Sequence, residues 1–223
     1  MHAEKTLELE GSHRYGIVLG VALATVLFLI ISPEAAWSRA VGLLLSGTML
    51  LVVIATSRGP LRLRERVGVA LIAATVVLVV GAALEWWPVP ITTATSAALL
   101  ITTLVQLVRG LIVLLRVRGV TVQAVAGALA VYLLVGIAFS FAITTMAKID
   151  GGAFFAQGTD GSESQRVYYS FTSMTTTGFG DLTPAERGGR AVAVLEMLTG
   201  QIYLVTVISL LVGNLRRRGQ QTA

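Results

Sequence analysis

Residues 175–181 read Thr-Thr-Thr-Gly-Phe-Gly-Asp. Glycine enters the positive-φ region at little steric cost. Gly178 and Gly180 alternate with L-residues, and that alternation lets successive carbonyl oxygens face the same way. A row of such carbonyls, contributed by several chains, can replace the water shell of a cation. The Thr176 hydroxyl would add one more ring of oxygens below them. The chemistry this spacing supports is therefore the stripping and holding of a cation, with no bond made or broken.

Other chemistries find little to work with. The 223 residues include no cysteine, which removes disulfides, thiolate metal sites and cysteine nucleophiles. Both histidines, His2 and His13, lie in a polar leader. No nucleophile stands with a base and no metal-ligand spacing is present, so the sequence predicts no enzyme and no cofactor. The net charge of +5 would suit a nucleic acid, but cytoplasmic-loop arginines explain it first, and no nucleic-acid partner is expected.

The Gly-x-Gly segment needs elements to hold it. Arg166 to Thr175, just before it, predicts a short helix, far too short to cross a membrane. An irregular return after such a half-crossing is tolerated at membrane depth only where it lines water or protein. The stretch from Lys148 to Arg190 that carries both is too long for a simple connection.

The surroundings are apolar. Hydrophobic residues make up 55% of the chain and charged ones 13%, which excludes an ordinary soluble domain. Uncharged runs cover Tyr15–Pro33, Ala40–Ser57, Val67–Leu84, Trp86–Val108 and Gly119–Ala147; Ala191–Leu215 is broken once, by Glu196. A bilayer core of about 30 Å needs roughly 20 apolar helical residues. All six runs qualify, and the expectation is an all-α membrane protein with six transmembrane helices and the short helix and Gly-x-Gly segment between the fifth and sixth. Glu4, Glu8 and Glu10 argue against a signal peptide ahead of the first run. Placing both termini in the cytoplasm puts 12 Lys and Arg inside against 5 outside. Trp86 and Trp87 beside Pro88 and Pro90 suggest an interfacial anchor on the outer face. The expected organisation is a leader (1–14), a four-helix region (15–118), a two-helix unit (119–215) and a cytoplasmic tail (216–223).

Thr175-Thr176-Thr177-Gly178-Phe179-Gly180-Asp181 resembles the selectivity-filter signature of the potassium channel family, Thr-Val-Gly-Tyr-Gly-Asp. The order of elements across about Gly119 to Leu215 is similar too: outer helix, turret-like loop, pore helix, filter, inner helix. The resemblance implies a filter of Thr176, Thr177, Gly178, Phe179 and Gly180, with K+ held at the carbonyls of Thr176, Thr177, Gly178 and Phe179. It implies a homotetramer, since each chain supplies one strand of the filter. Asp181 would hold the outer mouth, with Thr172, Thr175, Tyr168 and Glu196 as further support. The sequence departs from the family where a pore-helix glutamate often faces the aspartate and Thr172 stands instead. Tyr168 and Tyr169 take the place of the usual tryptophans, and Phe179 lacks the tyrosine hydroxyl.

Glu196 is an ionisable residue within an apolar run and so a functional candidate. It lies roughly 9 Å along the helix from Arg190, at the depth of the filter. It is expected to face Thr172, Ser173 or Thr175, bracing the filter or titrating as a gate; Gln201 and Tyr203 could join the cluster, with simple interhelical packing the favoured reading for Tyr203. Gly200 stands near the family's proposed gating hinge, with close helix packing an equal alternative; Gly213 is a weaker candidate. Arg109, Arg116 and Arg118 are spaced by seven and two at the cytoplasmic end of the fourth run, unlike a voltage sensor's every-third-residue ladder. Arg58, Arg62, Arg64 and Arg66 could meet anionic lipid head groups, with topology anchoring alone the favoured reading. Only eight residues follow Leu215, so no cytoplasmic ligand domain is expected.

The reading that follows is a passive, potassium-selective channel in a plasma membrane. Low Lys against high Arg, Ala and Val suggests a bacterial source. A potassium-transporter subunit, or a non-conducting membrane protein that kept the motif, are the alternatives.

Overall fold

The computed structural model describes residues 14–56, 61–86, 89–149, 153–209 and 211–214. Every regular element among them is helical: α1 (Arg14–Ile31), α2 (Ala36–Thr56), α3 (Leu61–Ala83), α4 (Val89–Arg118), α5 (Val122–Ile149), α6 (Glu163–Met174) and α7 (Arg187–Ile202), with a π-helical continuation over Tyr203–Ile208. Among the described residues four helices are long and apolar enough to cross a membrane: Trp37–Ile54, Ala94–Val117, Val122–Lys148 and Arg187–Asn214. Tyr15–Ile31 and Val69–Ala83 are shorter apolar helices.

The boundaries differ from the uncharged runs in instructive ways. α1 stops before Pro33, whose ring cannot continue a helix. α4 runs past Arg109 and Arg116 to Arg118, because a charge at a helix end costs little when it reaches water. α7 begins at Arg187, four residues ahead of the uncharged run. Trp86 is exposed, and Trp87 lies outside the described residues, as do Arg58 and the side chains of Arg62, Arg64 and Arg66.

α1 buries Tyr15, Val18, Ala22 and Val26, a stripe at three- and four-residue spacing. That stripe meets Ala124, Ala128, Val131 and Leu134 of α5 and Leu107 and Leu111 of α4 in one core. Small residues make room for Tyr15: a Cβ at Gly127 would stand 2.9 Å from its ring, and one at Gly110 2.8 Å from its hydroxyl. Gln123 Oε1 accepts the N–H groups of Tyr15 and Gly16 at 3.1 and 3.3 Å, which ties the start of α1 to α5. α2 packs on α1, α3 and α4, while α1 also touches α6. A cavity of about 300 Å³ opens among these helices, lined by Thr25, Ser46, Thr103, Arg39 and Arg166.

Candidate functional site

α6 positions the Gly-x-Gly segment. Its start is set by a capping box. Ser162 Oγ accepts the Gln165 N–H at 3.1 Å, and Gln165 Oε1 accepts the Ser162 N–H at 2.8 Å. The helix therefore begins at Glu163, three residues ahead of the uncapped reading. Val167, Ser170 and Met174 lie buried along one side, with Tyr169 and Ser173 beside them.

The chain leaves α6 at Thr175 and turns sharply. The N–H groups of Thr177 and Gly178 both donate to the Thr172 carbonyl, at 2.9 and 3.1 Å. Thr176 has φ +56°, Gly178 +52° and Gly180 +81°, while Thr177 and Phe179 do not enter the positive region. Positive- and negative-φ residues thus alternate from 176 to 180. Thr176 is a β-branched residue in that region and is strained there. Its hydroxyl is doubly engaged, donating to the Thr175 carbonyl at 2.7 Å and accepting from Gln201 Nε2 at 2.9 Å. Residues 175–181 are all exposed. The negative end of the α6 dipole stands at their base.

Tyr168 supports the outer part. Its ring stacks on Phe179 with centroids 6.2 Å apart and planes 7° from parallel. The Asp181 carboxylate lies near enough to act on its hydroxyl. Desolvation, and then Asp181, hold this phenol above the ordinary tyrosine range. Tyr169 turns the other way, into a cluster with Phe154 and Phe155 at centroid distances of 6.3 and 5.2 Å. Phe155 is fully buried, and its loop is strapped to the segment after Asp181 by Ala156 N–H to Thr183 O (2.8 Å) and Ala185 N–H to Phe154 O (2.9 Å).

α7 closes the inner side. A Cβ on Gly200 would stand 2.2 Å from the Met174 carbonyl oxygen, so glycine is required there for close approach. α7 is still α-helical at Gly200; the departure comes at Tyr203–Ile208. π-turns of this kind are common at functional bends. Gly200 therefore has a packing role, and the backbone first departs from α-helical geometry at Tyr203. Tyr203 reaches across to the Ala128 carbonyl at 2.7 Å.

Several expectations need correction. Thr172 does not face Asp181 through its side chain: its hydroxyl donates to the Tyr169 carbonyl at 3.0 Å, and only its backbone oxygen touches the Gly-x-Gly segment. Thr175 likewise returns its hydroxyl to Phe171 O at 2.7 Å and meets Thr177 Oγ1 at 2.9 Å. Glu196 is fully buried, but it pairs with Ser170 and not with Thr172, Ser173 or Thr175. Gln201 joins Thr176, not Glu196. Sequence reasoning missed Ser170, Phe154 and Phe155. The Ser-x-x-Gln pattern at 162–165 was a legible signal for the start of α6; nothing local marks the partner of Glu196.

Residues 120–217 match the family model described as ion channel. The matched stretch takes in α5, α6, α7 and the Gly-x-Gly segment, and leaves α1 to α4 outside. No curated protein and no solved structure matches the chain.

Proposed function

We propose that this protein is a potassium-selective channel, a homotetramer that conducts passively through a pore lined by the carbonyls of Thr176, Thr177, Gly178 and Phe179. The first four helices and α5 with α7 make six crossings, and α6 enters the membrane only partway. One observation carries the reading. Alternating left-handed residues at 176, 178 and 180 form an exposed strand at the C-terminal end of a short helix, within the stretch that matches ion channels. In an ordinary extended strand neighbouring carbonyls point to opposite sides. Alternation turns them to one side, where an ion stripped of water can be met.

Potassium and sodium flux into liposomes tests it. The wild-type protein should pass potassium well ahead of sodium. In Gly178→Ala an added Cβ meets no atom within 4 Å, so the cost falls on the backbone, about 1–2 kcal/mol per chain for an L-residue in that region. Selectivity should fall by roughly tenfold or more. Equal flux of the two ions in the wild type, or an unchanged Gly178→Ala, would overturn the reading.

A further inference from the structure

Ser170 sits in the middle of α6 and is fully buried. Its Oγ makes two contacts. One is with the Gly136 carbonyl oxygen of α5, at 2.7 Å. The other is with Glu196 Oε1 of α7. Three helices therefore meet at one hydroxyl.

A serine hydroxyl owns one hydrogen, and a backbone carbonyl can only accept. If Ser170 gives its hydrogen to Glu196, Gly136 O and Ser170 Oγ face each other with no proton between them. If it gives the hydrogen to Gly136, the Glu196 contact needs a proton of its own, and only Glu196 can supply one. Both contacts are hydrogen bonds in a single arrangement: Glu196 O–H donates to Ser170 Oγ, and Ser170 O–H donates to Gly136 O.

The surroundings agree. The titratable groups facing Glu196 are Tyr132 on α5 and Tyr169 on α6, both neutral phenols. Among the described residues the one ion pair is Arg39 with Glu85, at the far side of the molecule's sequence, and no cation pairs with Glu196. Its second oxygen, Oε2, is buried without a hydrogen-bond partner. A carboxylate here would carry unpaired charge in an apolar interior, whereas the carbonyl oxygen of a neutral carboxyl costs far less.

We propose that Glu196 is a carboxylic acid that acts as a hydrogen-bond donor, and that the relay Glu196 to Ser170 to Gly136 fixes α6 between the outer and inner helices. Glu196 is then a positioning residue. Its effect on conduction rests on the function proposed above; its protonation does not.

Infrared difference spectroscopy between wild type and Glu196→Gln tests the protonation on the whole protein, conducting or not. A protonated-carboxyl C=O band should be present at neutral pH in the wild type, absent in Glu196→Gln, and shifted in Ser170→Ala. Absence of that band in the wild type would overturn the proposal. Flux tests the positioning. Glu196→Gln retains a donor in its amide and should keep potassium over sodium selectivity, while Glu196→Leu should lower it roughly tenfold. Equal losses in the two variants would overturn the donor role. A wild type with the band but no potassium preference would sink the channel reading and leave the neutral carboxyl standing.

Discussion

At Gly200 two explanations of one glycine predict opposite results. A hinge glycine tolerates a methyl group in a straight helix; a packing glycine does not. Met174 O lies 2.2 Å from where the Cβ would be, and backbone cannot swing aside as a side chain can. Gly200→Ala should destabilise the protein by about 1–3 kcal/mol through overpacking. Gly213→Ala, with nothing within 4 Å of its Cβ, should not. Thermal unfolding of the two variants measures the difference, and equal midpoints would remove the packing argument. Tyr168 offers a second test. Its phenol is held above the ordinary range by desolvation and by Asp181. The stability it contributes is therefore complete below the unfolded tyrosine pKa and is lost as pH rises through the higher folded value. Tyr168→Phe should unfold at lower temperature than wild type at neutral pH, with the gap closing in strong alkali. No gap at neutral pH would mean that the ring stacking on Phe179, which phenylalanine keeps, and not the hydroxyl, provides the support.

The elements obey capping and burial more than local composition. The start of α6 rests on Ser162 and Gln165, so Ser162→Ala should cost about 0.5–2 kcal/mol. It should also raise amide exchange across Glu163 to Arg166; unchanged exchange there would show that tertiary packing alone holds the first turn. This bears on what could be read from the sequence. Long uncharged runs located the helices, because lipid-scale apolarity leaves few other structures open. Gly178 and Gly180 were legible because positive φ has a residue signature. Thr176 was not, since its left-handed backbone is imposed by the turn onto Thr172 O and by Gln201. The π segment at Tyr203–Ile208 was hidden as well: its sequence, Tyr-Leu-Val-Thr-Val-Ile, is ordinary helical apolar material. Pairings across helices, such as Ser170 with Glu196, depend on relative rotation and depth, and a periodic pattern specifies neither.

At the scale of the molecule the question is what α1 to α4 do for the matched stretch. They are joined to it physically: α1 packs on α5 and α6, and Glu34, between α1 and α2, accepts the Glu163 N–H at 3.0 Å. That contact meets the positive end of α6, where a carboxylate is favoured. The first helices therefore touch α6 directly, and a stimulus acting on them would reach it through these contacts. Voltage needs charge within the field, worth about 2.3 kcal/mol per elementary charge per 100 mV. Thr92 to Val108, most of α4, holds none, and Arg109, Arg116 and Arg118 gather at its end. Arg39, in the first turn of α2, pairs with Glu85, just past the end of α3, so neither charge is mid-helix. For the proposed channel, the span Thr92 to Val108 of α4 offers no gating charge to move, so the opening energy should not change with potential. In planar bilayers open probability should therefore stay nearly flat from strongly negative to strongly positive voltage, with only the driving force altering the current. A steep conductance–voltage curve would refute this, and would require charges that move from the helix ends into the field.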